Sequence, residues 1–155
     1  MVNGVSNKSG RNHISVLIVV KSFIYFANTD MFKVIIAGGR DFDDYELLKE
    51  KCDYYLGFID PKSEIIIVSG GARGADSLGE RYAKEKGYQI ELHKADWNKY
   101  GKRAGFIRNY EMVAIASAAI CFWDGESKGT NHTINLCKGK GIPCKVIQYE
   151  KKCYE

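Results

Sequence analysis

Three times along this chain, a short run of apolar, β-favouring residues ends on glycine and passes into a segment with helical spacing. KVIIA at 33–37 runs into Gly38 and Gly39, EIIIVS at 64–69 into Gly70, Gly71 and Gly74, and AAICFW at 118–123 into Asp124, Gly125 and then Gly129. Apolar runs without polar alternation belong to strands covered on both faces, and the intervening helices supply the cover. The pattern predicts an α/β fold: a Rossmann-like, doubly wound, mainly parallel sheet of about five strands flanked by helices. YQIELH at 88–93 and CKVIQY at 144–149 are the remaining strands. Helices are expected over 43–56, where Leu48, Cys52 and Tyr55 fall at i, i+4 and i+7, over 75–86 with Gly87 as C-cap, over 103–118 and over 130–140. The strand order is not readable from one sequence. Ligand crevices of such sheets nevertheless lie beyond the carboxyl ends of the strands, where all three glycine turns fall.

A chain of 155 residues suits one domain, taken here as residues 31–155. Residues 1–30 break the pattern. ISVLIVV at 14–20 and FIYFA at 23–27, interrupted by Lys21 and Ser22, are too short for a bilayer span, which needs about 20 apolar residues. They are read as an N-terminal extension, either an extra element packed on the domain or an over-long start ahead of Met31. No small-residue cleavage site follows, and five cysteines without a C-x-x-C pair argue against export, a disulfide framework and a zinc site alike. The histidines share no ligand spacing with them. The expectation is a cytoplasmic protein with no metal and no cofactor.

Lys and Arg total 23 against 19 Asp and Glu, a net charge of +4 that is too small for a nucleic-acid coat or a polybasic membrane anchor. The surplus is local: between Lys94 and Arg108 five basic residues stand against the single Asp96. Trp97, Tyr100 and Phe106 are interleaved with them. Rings that stack on a base beside cations that meet phosphate suit a nucleotide, and the same mixture would suit single-stranded nucleic acid.

Each glycine turn carries polar groups suited to an anionic ligand. Gly38 and Gly39 let backbone amides approach a phosphate, and Arg40 offers a bidentate pair. Ser69, Gly70, Gly71, Arg73, Gly74 and Asp76 lie where a strand becomes a helix, so an anion there would meet unpaired N–H groups and the positive end of the helix dipole. Asp76 either caps that helix or accepts from a ribose hydroxyl. At the third turn Asp124, Gly125, Glu126, Ser127, Gly129 and Thr130 add hydroxyls and carboxylates, with Thr130 as N-cap or phosphate donor. The turns are not a Walker A loop and not G-x-G-x-x-G, so nucleoside-triphosphate hydrolysis of that type and hydride transfer have little support. No Ser-His-Asp or Cys-His pairing stands out.

Taken together, KVIIAGGRDF, IVSGGARGADSLGERYAKEKG, ADWNKYGKRAGFIRN and FWDGESKGTNHTI resemble the YspA-type, cpYpsA-related branch of the SLOG superfamily, named for its Smf/DprA and Lonely Guy members. The resemblance covers about residues 32–148. It implies a Rossmann-like nucleotide-binding domain whose relatives bind nucleotides, nucleotide sugars or ADP-ribose derivatives, act in signalling or phage-host conflict, and often self-associate. By position it carries over Gly38, Gly39 and Arg40, then Gly70, Gly71, Arg73, Gly74 and Asp76, the pair Arg108 and Asn109, and Asp124, Gly125, Ser127, Gly129 and Thr130. Two departures matter. Thr133 stands where Lonely Guy phosphoribohydrolases place a catalytic Glu, and Ser117 where this branch is expected to have Asp.

The expectation is a binding domain for a phosphorylated nucleoside, nucleotide-sugar or ADP-ribose-like molecule, acting as sensor or sequestering protein and forming a homo-oligomer. Trp97, Arg103 and Arg108 join the loop residues as ligand contacts. The alternative is a nucleotide N-glycosidase or phosphohydrolase in which Asp76, Asp124 or Glu126 activates water. A third reading is single-stranded nucleic-acid binding, with steep salt dependence through Lys102 and Arg103.

Overall fold

The structure, a computed structural model, describes residues 31–153, so the extension at residues 1–30 lies outside the described residues. Its strands are β1 (Met31–Gly38), β2 (Glu64–Ser69), β3 (Gln89–Leu92), β4 (Ala118–Trp123) and β5 (Cys144–Gln148). They form one sheet in the order β3-β2-β1-β4-β5, parallel at every pairing. Val34 at its centre stands level with Ile67 on one side and Ala118 on the other. The helices are α1 (Tyr45–Leu56), α2 (Ala75–Lys86), the single turn α3 (Trp97–Tyr100), α4 (Ala104–Ile115) and α5 (Lys128–Lys140), with a 3-10 turn over Gly101–Arg103.

Period-two alternation sorts the sheet into two cores. Val34, Ile36, Ile67, Ile120 and Phe122 face Leu48 and Cys52 of α1 and Tyr82 of α2. Ile35, Ala37, Val68, Ala119 and Cys121 face Met112 and Val113 of α4 and Ile134 and Cys137 of α5. This is why β1, β2 and β4 carry unbroken apolar runs. The edge strands differ: Leu92 on β3 and Val146 on β5 are 46% and 41% exposed, and among the described residues no strand pairs outside either of them.

The apolar runs and helical spacing place β2, α2 and β4 to the residue, and Gly87 closes α2 in the left-handed region at φ 73°. Other helix boundaries move: α1 begins at Tyr45 rather than 43 and α4 at Ala104 rather than 103, and two shifts are larger. The helix expected over 103–118 ends at Ile115, since the Ser117 amide donates to the Lys33 carbonyl at 2.7 Å and draws the chain into the sheet. The last helix begins at Lys128 rather than Thr130. Its N-cap is Ser127, whose Oγ accepts from the Thr130 amide at 3.4 Å.

The topology fixes where a ligand can enter. From β1 the chain proceeds to β2 and β3 on one side, then α4 carries it across to β4 and β5 on the other. The connections from β1 and β4 therefore leave in opposite directions, and a gap opens beyond the carboxyl ends of these two strands. Ser117, at the start of β4, lies at the opposite rim of the sheet. Among the described residues no helix is long and apolar enough to cross a membrane.

Candidate functional site

The first two glycine turns are joined backbone to backbone. The Gly39 amide donates to the Phe122 carbonyl at 3.1 Å, and the Gly39 carbonyl accepts from the amides of Phe42 and Ala75, each at 3.2 Å. Gly74 permits this contact. It has φ +79°, and a Cβ there would stand 2.7 Å from the Arg40 backbone, so a side chain would force the loops apart. Arg40 and Arg73 consequently reach the same cleft.

Asp76 takes part of the role expected for a bound anion. It is 5% exposed in the first turn of α2, where Gly74 is the N-cap and no side chain caps the helix. Its Oδ2 accepts from the Ala72 amide at 3.2 Å, while the Gly71 amide donates to Ser69 Oγ at 3.1 Å. These two loop donors are thus held by the protein's own oxygens. Burial pushes the Asp76 carboxyl up to about 6; the amides of Ala72 and Gly70 and the charge of Arg108 restrain the rise, and Glu80 adds to it. Arg108, half-buried on α4, donates through Nη1 to the Gly70 carbonyl and through Nε to Asn109 Oδ1 at 3.0 Å. Burial lowers its pKa, with Asp76 opposing.

The third turn is built around Asp124. Burial would raise its carboxyl, yet the amides of Ser127 and Glu126, donating to Oδ1 at 2.7 and 2.9 Å, and the Lys151 ammonium 3.0 Å from Oδ2 outweigh this and hold it at about 2. Ser127 Oγ and Thr130 Oγ1 lie 3.0 Å apart. Asn109, 6% exposed, donates to the Gly129 carbonyl at 3.3 Å and ties α4 to the first turn of α5.

These elements enclose an open cleft of about 610 Å³ at the carboxyl ends of β1 and β4. Its lining carries the cations Arg40, Arg73, Lys102, Arg108 and Lys151, the carboxylates Asp41, Asp76, Asp124 and Glu126, and the rings of Trp97 and Phe106. Both rings are about half exposed, at 52% and 46%, so they are not core side chains. Gly105 on α4 packs beside Trp97, and a Cβ there would meet the indole at 3.4 Å, an ordinary contact. A hollow of about 400 Å³ adjoins the cleft, shares Arg40, Arg73, Trp97 and Arg108 with it, and adds Gly70, Gly71 and Lys94.

Of the residues singled out from the sequence, Gly38, Gly39, Arg40, Arg73, Asp76, Trp97, Arg108, Asn109, Asp124, Glu126, Ser127, Gly129 and Thr130 line the cleft. Gly70 and Gly71 line the adjoining hollow. Four line neither. Ser69 is buried and donates to Glu80 Oε1 at 2.7 Å, Gly74 packs the two loops, Gly125 is an exposed turn residue, and Arg103 points outward beside Lys102, which does line the cleft. Met112, Gly105 and Lys151 were not legible as site residues. The first two look like ordinary helix positions, and Lys151 sits in a polar tail without a motif.

The parallel sheet, its order and the cleft at the reversal of that order define a Rossmann-like α/β domain with a cavity of small-molecule size. The chain belongs to the YspA, cpYpsA-related SLOG family, whose profile matches residues 32–100. That span holds the first two turns and Trp97; Arg108 and the third turn lie beyond it. The chain is 44% identical over 94 residues to the Gene 61 protein of Mycobacterium phage D29, a stretch covering 57% of this chain and 74% of that protein. No solved structure matches the chain significantly.

Proposed function

We propose that the cleft binds a phosphorylated nucleoside, nucleotide-sugar or ADP-ribose-like molecule, and that the protein senses or sequesters it. The observation that carries this reading is the convergence of Arg40, Arg73 and Arg108 with the exposed rings of Trp97 and Phe106 around one 610 Å³ cleft at the strand ends. Guanidiniums offer the paired donors a phosphate accepts, and an exposed ring offers a face to a base. Because Asp76 already holds loop amides, the phosphate is placed against the guanidiniums rather than in the Gly70–Gly74 turn. Thr130 lines the same cleft, where a sugar hydroxyl would meet it, while Asp124 orders the turn beside it. The phage relative is consistent with a role in phage-host conflict. On this reading the protein works in the cytoplasm as a homo-oligomer.

Native mass spectrometry of protein purified from its own host, followed by calorimetric titration with AMP and ADP-ribose, tests the proposal. A co-purifying nucleotide mass, or affinity that falls at least tenfold in Arg108→Ala, supports it. Absence of both refutes it.

An enzymatic reading is favoured by one observation. Asp76, held at about 6 in the cleft wall, is the carboxyl poised to give or take a proton near neutral pH. Asp124 is committed as a carboxylate, and Glu126 stands on the rim beside Lys151. Release of free base or phosphate from nucleoside monophosphates or NAD derivatives, lost in Asp76→Asn, would replace binding by N-glycosidase or phosphohydrolase activity.

A further inference from the structure

The segment after β5 borders the cleft through Lys151. The Tyr149 amide donates to the Trp123 carbonyl at 3.1 Å, its ring meets Phe42 edge-on at 4.9 Å between centroids, and its hydroxyl donates to Asp41 Oδ1 at 2.6 Å. Lys152 Nζ lies 3.0 Å from Asp43 Oδ1. Between these anchors Lys151 turns inward, its Nζ 3.0 Å from Asp124 Oδ2 and 3.2 Å from Glu126 Oε2, and lines the cleft with both carboxylates. The tail thus ties the first glycine turn to the third. Gly39 is part of the fit, because a Cβ there would run into the Tyr149 hydroxyl.

Charge decides what this arrangement does. The Asp124 side chain is only 4% exposed and Glu126 stands beside it, so water screens Asp124 weakly. Without the ammonium, this wall would present two carboxylates to any anion that Arg40, Arg73 and Arg108 draw into the same cleft. With it, the wall carries a cation whose partners are an acid locked by two amides and an acid on the exposed rim. The cation is also positioned, since Tyr149, two residues before it, is held to Trp123, Phe42 and Asp41.

We propose that the segment after β5 completes the binding site through Lys151, whose ammonium is a specificity-determining contact for phosphate-bearing ligands, meeting a ligand oxygen beside Asp124 and Glu126 and screening the ligand from both. The inference rests on the reading of the cleft as a nucleotide site and adds a wall to it from outside the glycine turns. It predicts that removing the ammonium weakens ligands with more phosphate charge more than ligands with one phosphate.

The test is calorimetric titration of the full chain and of Lys151→Ala, Lys151→Gln and Lys151→Arg with AMP, ADP-ribose and inorganic pyrophosphate, with thermal unfolding as a check on folding. Removing one unit charge about 6 Å from an anion, at an effective dielectric constant of about 40, weakens binding about tenfold. Lys151→Ala and Lys151→Gln are expected to lose about this factor, most for the probe with the most charge, and Lys151→Arg to restore it. If the full chain binds a probe and both neutral variants bind it equally well, the inference falls and the nucleotide reading stands. If the full chain binds none of the three, both fall together.

Discussion

Replacing Asp76 by Asn stabilises the folded protein increasingly, relative to the parent chain, as pH rises from 4 to above 6. The folded carboxyl titrates at about 6 against 3.8 for a free one, so the unfolded chain releases this proton first as pH rises. The folded state is therefore penalised as pH climbs from 4 to 6, and the penalty is fully present above 6. At about 1.4 kcal/mol per pH unit the difference amounts to about 3 kcal/mol at pH 7–8 and falls below about 1 kcal/mol at pH 4. Asn removes the ionisation but keeps an oxygen for the Ala72 amide. Any fixed cost of its NH2 group shifts the whole curve without changing its slope. Urea unfolding of both proteins at pH 4, 5, 6, 7 and 8 gives the difference directly, since every other titrating group is common to them. The stabilisation is expected to grow by about 2 kcal/mol between pH 4 and 8. A pH-independent difference, or one that turns against Asn as pH rises, would refute the argument. The outcome also bears on function: a carboxylate kept at such cost in a cleft wall is a stability sacrifice of the kind binding and catalytic sites make.

Gly74→Ala forces a Cβ against the Arg40 backbone at positive φ and is expected to destabilise the fold by about 2–4 kcal/mol and abolish ligand binding, read by urea unfolding and titration. Ser127→Ala removes the N-cap of α5 at a cost of about 1 kcal/mol in the same unfolding assay. Trp97→Ala, at a half-exposed side chain, leaves stability within about 0.5 kcal/mol but weakens base-bearing probes by about 1–3 kcal/mol and leaves pyrophosphate unaffected. Ile120→Ala, fully buried between β1 and β5, costs about 2–5 kcal/mol.

The three strand-to-helix turns were legible because each needs its own local chemistry: an apolar run to be buried, glycines to reverse the chain, and polar groups at the reversal. The residue spacing that placed α2 and β4 to the residue needs no knowledge of distant neighbours. The end of α4 did need it, since Ser117 is drawn off the helix by Lys33, a strand 84 positions earlier. Ser127 displaced Thr130 as cap for a related reason: Asp124 orders the turn through the Ser127 amide before the helix begins.

Sequence alone determined that the chain would form a doubly wound parallel sheet and that its polar glycine turns would gather beyond the strand ends, since burial on two faces and the direction of a parallel strand are written in local pattern. Only the tertiary structure decided which side chains share the cleft. Strand order brought β1 and β4 together, set Asp76 against the loop amides that an anion was expected to fill, and laid Lys151 of an unpatterned tail over Asp124. These are consequences of long-range packing, in which groups far apart in the chain compete for the same hydrogen bonds and charges.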